Sequence, residues 1–254
     1  MNWDLLLELI RTNFKLKYKG SVLGFIWVLI KPLLIFLLLF VFFSKLSNPS
    51  GEISKSLSAV NLLVGIVFFY LFNEGVIWGM NSLLDKANII LKINFNRLIA
   101  VASSVAMALI NFGINIFILT LMAIYAHVGI TFVSFLYLLL IVICLLLVIT
   151  SVSLFSSVLL VKLRDLTHVA ELAIQLLFYA SAIFYPIDIV PEKWRFLITY
   201  NPLAIIIDAA RKAIVYGEVT RVDSIMILFV VSLVATVVAW RFFISRIKKI
   251  AEYF

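Results

Sequence analysis

The sequence predicts an all-α integral membrane protein. It has six transmembrane helices, an N-terminal amphipathic interfacial helix, and a re-entrant extracytoplasmic helical hairpin between helices five and six. Three observations carry that prediction. The 254 residues are 65% hydrophobic and only 13% charged, with a mean hydropathy of +1.18, whereas a soluble domain is about half apolar and about a quarter charged. So much apolar surface cannot be hidden behind so few polar side chains, and the excess faces lipid. The apolar residues fall into continuous runs near the length of about 20 that one helix needs to cross, without the period-two alternation of barrel strands. Lys and Arg gather at the edges of those runs.

Residues 1–20 are too polar to cross. Asp4, Glu8, Arg11 and Lys15 recur at helical spacing, while Trp3, Leu6, Leu7, Ile10 and Phe14 take another face. The helix is acidic at its start and basic at its end, as its dipole favours. This is the pattern of a helix lying in the membrane interface, either as an anchor or as a lever touching a cytoplasmic partner. Six spans follow at about 24–44, 59–82, 99–125, 132–160, 169–186 and 224–244, and residues 1–254 are expected to form a single transmembrane domain.

Fourteen of the 21 Lys and Arg residues lie on one side of these spans. They are Arg11, Lys15, Lys17, Lys19 and Lys31, then Lys86, Lys92 and Arg97, then Lys162 and Arg164, and finally Arg241, Arg246, Lys248 and Lys249. The excess of positive charge makes both termini cytoplasmic. The net charge of +8 therefore reads as membrane orientation and helix-end anchoring, not as a nucleic-acid surface. The opening residues lack the basic-then-apolar pattern of a cleavable signal, so the first span is expected to direct insertion itself.

Between the fifth and sixth spans, Pro186, Pro191 and Pro202 punctuate the chain. Asn201-Pro202 reads as an N-cap followed by a first-turn proline. Residues 203–216 are helical in pattern, with Asp208 and Lys212 paired at i,i+4 and Gly217 placed to stop the helix. Neither half of 186–217 is long and apolar enough to cross. Two short helices dipping into the outer leaflet are expected, and such a hairpin must pack on protein.

Enzyme chemistry finds no support. There is no G-x-x-x-x-G-K-[ST] phosphate loop. His127 and His168 stand apart without carboxylate or thiol at ligand spacing, and the serines of TSVSLFSS (150–157) have no base beside them. Cys144 sits inside an apolar run and is read as a packed or lipid-facing residue. No cofactor is expected on the chain.

Polar groups inside the spans are the residues with something to explain, because ionisable groups in a bilayer are costly. Glu74 lies midway in span two beside Asn73, Gly75 and Gly79, and Asn81, Ser82 and Asp85 continue its face. Lys31 precedes Pro32 in span one. Ser104, Asn111 and Asn115 form a stripe in span three, and Thr150, Ser153 and Ser157 another in span four. Such stripes serve either hydrogen-bonded helix packing, helped by the spacings Gly20/Gly24 and Gly75/Gly79, or a polar pathway. Aromatic residues gather near the outer ends of spans one, two and five, among them Phe36, Phe40, Phe72, Phe178 and Tyr185. They suit an interfacial belt or a path for sugar rings, whose apolar C–H faces stack on aromatics.

Taken together, the order of parts resembles the membrane subunits of ABC exporters for polysaccharides such as O-antigen, capsule and teichoic-acid chains. The resemblance rests on YKGSVLGFIWVLIKPL (18–33), on the loops ILKINFNRL (90–98) and VKLRDL (161–166), and on SAIFYPIDIVPEKWRFLITYNPL (181–203). It departs at Asn96, where related chains often carry proline. The resemblance implies a homodimer in the cell inner membrane with two copies of a separate cytoplasmic ATPase subunit, which binds the ATP and magnesium. It implies docking of the ATPase through Glu8, Arg11, Lys86, Asn88 and Lys92. A polyprenyl-pyrophosphate-linked polysaccharide then moves along a channel between the copies, lined by Phe36, Phe40, Phe72, Glu74, Phe178 and Tyr185. Lys31 and Arg97 are placed to meet the lipid head, and an extracytoplasmic gate includes Pro186, Trp194, Asn201 and Pro202.

Overall fold

The computed structural model describes residues 3–46, 52–92, 95–185 and 190–250, and among them every regular element is helical. The chain opens with α1 (Trp3–Tyr18), then a 3-10 turn (Gly24–Ile26) leading into α2 (Trp27–Leu46). There follow α3 (Glu52–Asp85), the short α4 (Ala87–Lys92), α5 (Leu98–Tyr125), α6 (Phe132–Lys162) and α7 (Leu166–Ala180). The chain closes with α8 (Glu192–Thr199), α9 (Pro202–Arg211), a π-helical turn (Lys212–Tyr216) and α10 (Val222–Ile250). The interfacial position of α1 and the re-entrant position of the α8–α9 segment are matters of membrane placement. The helices themselves are present where the sequence puts them.

Among the described residues, five segments are long and apolar enough to cross a membrane: Gly24–Phe42, Lys55–Asp85, Leu98–Tyr125, Phe132–Lys162 and Val222–Ile247. The chain is thus a multi-pass membrane protein. The predicted fifth span, 169–186, ends earlier: α7 stops at Ala180 after 15 residues, roughly 22 Å at 1.5 Å per residue. That is less than a hydrocarbon core of about 30 Å. What stops it is a turn in which Ala182 takes a left-handed backbone, φ 50°.

α3 is the hub. Along the crossing segment of α3 most residues are buried inside the bundle, while α2 and α10 are mostly exposed, as lipid-facing helices are. Its contact with α6 is made by glycines. A Cβ on Gly75 would lie 2.6 Å from Ile149 Cγ2, and one on Gly79 would lie 2.2 Å from Ser153 Oγ. Small residues at this spacing let two helix backbones approach within a membrane, and Ser153 Oγ uses the approach to donate to Gly75 O at 3.2 Å. Gly20 and Gly24 do something else. Both have positive φ, with nothing within 4 Å of an added Cβ. They shape the elbow between α1 and α2 and are not a helix-contact pair.

The partners fix the directions of the helices. Phe68 meets Phe112 at 5.2 Å and Lys86 reaches Ala100, so α3 and α5 run antiparallel. Gly75–Ile149 and Gly79–Ser153 make α3 and α6 parallel. Tyr137 OH donates to Thr220 O at 2.6 Å, Thr236 Oγ1 to Leu147 O at 3.0 Å, and Phe155 meets Phe242 at 4.8 Å, so α6 and α10 are parallel too. One end of the bundle therefore collects the end of α3, α4, the start of α5 and the ends of α6 and α10. α1 joins that end by packing Leu6 and Leu9 on Ile99.

Candidate functional site

At the basic end, side chains that look alike in sequence have separate fates. Glu8 and Arg11 are exposed on α1, with Thr12 Oγ1 donating to Glu8 at 3.5 Å. Lys86 points inward. It is 3% exposed, and its ammonium donates to Ala100 O at 3.2 Å and Ser104 Oγ at 3.0 Å. Burial pushes its pKa down to about 8, with Asp85 opposing the shift. Asn88 and Lys92 face outward at this corner, as do Asp85 and Asn96. Arg97 donates to Ile247 O and so ties the start of α5 to the end of α10. Lys31 is exposed on α2.

Lys17, which the sequence offered only as an orientation charge, meets α3. Its Nζ lies 2.8 Å from the centroid of the Trp78 ring, a cation–π arrangement. The residue as a whole is exposed, yet burial around the ammonium lowers its pKa to about 8, against the pull of Glu74 and together with the repulsion of Lys31. One turn along α3 from Trp78, Glu74 Oε2 accepts from Asn111 Nδ2 at 2.8 Å, and Asn115 Nδ2 donates to Asn111 O at 2.9 Å. The predicted stripes of spans two and three thus face one another across the α3–α5 contact. A hydrogen bond between helices partners the half-buried carboxyl, as an intramembrane acid requires.

Toward the other end an aromatic chain runs between α3 and α7. Phe72 is tilted against Phe69 at 6.5 Å, and Phe69 meets Phe178 edge-on at 4.9 Å. Phe178 meets Phe184 at 5.7 Å, Phe184 meets Tyr185 at 5.2 Å, and Tyr185 OH donates to Tyr179 O at 2.6 Å. Phe36 and Phe40 stack on each other at 5.6 Å along α2. Of the six residues picked from sequence as lining, Phe72, Phe178 and Tyr185 come together through Phe69 and Phe184. Glu74 belongs to the helix contact described above.

The outer segment is built on α9. Asn201 is its N-cap: Oδ1 accepts from Leu203 N at 2.9 Å, and Pro202 takes the first helical position. Asn201 Nδ2 also donates to Ala180 O and Ser181 Oγ, each at 3.1 Å. Asp208 pairs with Lys212 at 3.7 Å and Arg221 at 3.0 Å. Gly217, at φ 66°, ends the π-helical turn as expected of a left-handed cap. Trp194 is 52% exposed on α8. Pro186 lies outside the described residues.

Sequence reasoning missed Arg211, counting it as one more basic residue of an outer loop. Its Nε donates to Asn61 O at 2.9 Å, Nη1 to Ala182 O at 3.0 Å and Nη2 to Ile183 O. Burial lowers its pKa to about 10, so it stays charged at neutral pH. The available signal was its setting, an arginine among Ala209, Ala210 and Ala213, all fully buried.

The profile of the ABC-2 type transporter family matches residues 4–215, from α1 through the π-helical turn. The chain belongs to the ABC-2 type transporter family. Among curated relatives of this ABC-2 member, an O-antigen export system permease protein RfbA of Klebsiella pneumoniae is 30% identical over 251 residues. That match covers 98% of this chain and 95% of the relative. A second of the same name and species is 29% identical over 263 residues, with the same coverage. The RfbA permease of Myxococcus xanthus is 22% identical over 253 residues, covering 98% of this chain and 94% of that one. ABC-2 membership makes this a transport subunit, and no group of three or more His, Cys, Asp or Glu that could hold a metal occurs among the described residues.

Proposed function

We propose that this ABC-2 chain is the channel-forming permease of an ATP-driven exporter that moves lipid-linked, O-antigen-like polysaccharide across the inner membrane. It works as a homodimer with two copies of a separate ATPase, which carry the ATP and magnesium. The observation that carries the reading is the near-complete overlap with O-antigen export permeases, on both chains, at 30% identity. The match runs through α1, the spans and the α8–α9 segment alike, so the parts that carry the reading all lie within it.

The geometry supports the same reading. Glu8, Arg11, Asn88 and Lys92 gather at one end, which becomes the cytoplasmic ATPase-docking end, with both termini on that side. Lys31 and Arg97 belong to the same end, where an anionic pyrophosphate head would start its passage, met by charge-assisted hydrogen bonds. α7, short for a crossing alone, serves as the fifth of six spans, and the α8–α9 hairpin that follows dips into the outer leaflet and, with Trp194, Asn201 and Pro202, closes the mouth. The Phe69–Phe178–Phe184 chain then borders a path suited to stacking on sugar rings.

Copurification tests this directly. The tagged wild-type chain, expressed in its native host and extracted in mild detergent, is expected to retain a cytoplasmic ABC ATPase, and deletion of the chain is expected to abolish surface polysaccharide. Absence of an associated ATPase under conditions that keep a known exporter complex intact, or normal surface polysaccharide after deletion, would refute the proposal.

A further inference from the structure

The two polar ends of α9 reach the same short stretch of backbone. Asn201 at its start holds Ala180 O and Ser181 Oγ, and Arg211 at its end holds Ala182 O and Ile183 O. That stretch runs from the last residue of α7 into the turn after it, where backbone carbonyls have no intrahelical partners. Within a membrane those groups need protein donors. The guanidinium supplies them in a fixed fork, and its charge sits at the negative end of the α7 dipole. The third arm, Nε on Asn61 O, carries the assembly onto α3.

α3 is shaped to receive it. A Cβ on Gly65 would lie 2.5 Å from Arg211 Nη2 and 3.1 Å from Ile183 Cγ2, so the glycine leaves a notch that guanidinium and turn fill together. The gripped turn also holds Ala182 in a left-handed conformation at φ 50°, which an L-residue keeps only when its surroundings over-determine it.

We infer that Arg211 is a positioning residue of the outer mouth, joining the end of α7 and the whole of α9 to α3 as one rigid body. The hairpin is then no flap. The mouth opens where this body meets a second copy, not by α9 swinging away from α3. This extends the permease reading of the preceding subsection and rests on it.

Two measurements test it. In the purified chain, Arg211→Ala is expected to raise amide exchange at 180–185 and 203–213 at least tenfold while leaving 132–162 unchanged. Unaltered exchange at those segments would overturn the clamp whatever the chain transports. The second uses a covalent substitute: the nearness of Gly65 and Ile183 places thiols introduced there within disulfide reach. In cells, Arg211→Ala is expected to cut surface polysaccharide at least tenfold. The triple variant Gly65→Cys, Ile183→Cys, Arg211→Ala is expected to recover export when oxidised and lose it again on reduction. Full export by Arg211→Ala, failure of the two thiols to pair, or a paired variant that stays inactive would each sink the inference. A wild-type chain that supports no export, with the exchange result as expected, would instead remove the permease reading and leave the clamp standing.

Discussion

Whether adding one methyl group helps or harms this protein depends on which glycine receives it. At Gly79 a Cβ falls 2.2 Å from Ser153 Oγ and 2.5 Å from Ser153 Cβ. Ser153 is a short side chain already committed to Gly75 O, so the helices must part. Overpacking of this kind costs about 1–3 kcal/mol, more than the roughly 0.5–1 kcal/mol that alanine gains over glycine within a helix. At Gly113 on α5 nothing lies within 4 Å, so only the gain remains. Thermal unfolding in detergent should thus show Gly79→Ala lowered and Gly113→Ala level or raised, and the same sign for both would contradict the packing. Lys86 provides a pH-dependent counterpart. Its folded pKa of about 8 is below the ordinary 10.5, so its buried charge is a penalty that is complete below about pH 8. The penalty fades as pH rises toward 10.5, because there the unfolded state holds a proton that the folded state has shed. The wild type should gain stability between pH 7 and pH 10 relative to Lys86→Met, and a pH-independent difference would mean the ammonium is solvated.

Among the elements, the loop between α3 and α5 changes most between its appearance in sequence and its place in the fold. Lys86 and Lys92 read as equivalent docking charges, but Lys86 bonds to α5 and Lys92 faces outward on α4. Reversal of Lys92 alone is therefore expected to reduce ATPase retention severalfold at unchanged permease yield, whereas Lys86→Glu is expected to lower the yield itself. Pull-down yield normalised to membrane-inserted chain separates the two, and full retention by the Lys92 variant would take α4 out of the docking surface. The ends of α5 and α6 were readable because local chemistry sets them. Thr131 caps α6 by accepting from Ser134 N at 3.2 Å, just before the apolar run begins. The end of α7 was not readable, because its last carbonyl and those of the turn after it are taken by Asn201 and Arg211, some 20 to 30 positions away in the chain.

At the scale of the molecule, parallel packing of α3, α6 and α10 against antiparallel α5 brings the basic segments to one end and the 217–221 segment to the other. There Ser134 Oγ donates to Gly217 O at 2.7 Å and Tyr137 OH to Thr220 O. This separation makes orientation measurable. Cys144 is buried, so the native background should be quiet to an impermeant maleimide. Glu218→Cys is expected to label in intact spheroplasts, and Lys92→Cys only after permeabilisation. The reverse pattern would invert the topology.

The sequence by itself determined the membrane, the helical class, most helix positions and the clustering of charge, because each follows from local hydropathy, caps and the cost of exposing polar backbone to lipid. It also marked Glu74 and the Asn111/Asn115 stripe as polar groups in need of partners, but only the fold brought them together. Tertiary structure alone decided that Lys86 is interior, that Gly75/Gly79 is a helix contact while Gly20/Gly24 is an elbow, and that Arg211 closes the end of α7. These outcomes depend on which surface arrives beside each residue. A lysine, a glycine or an arginine carries no mark in the sequence of the neighbour that will meet it.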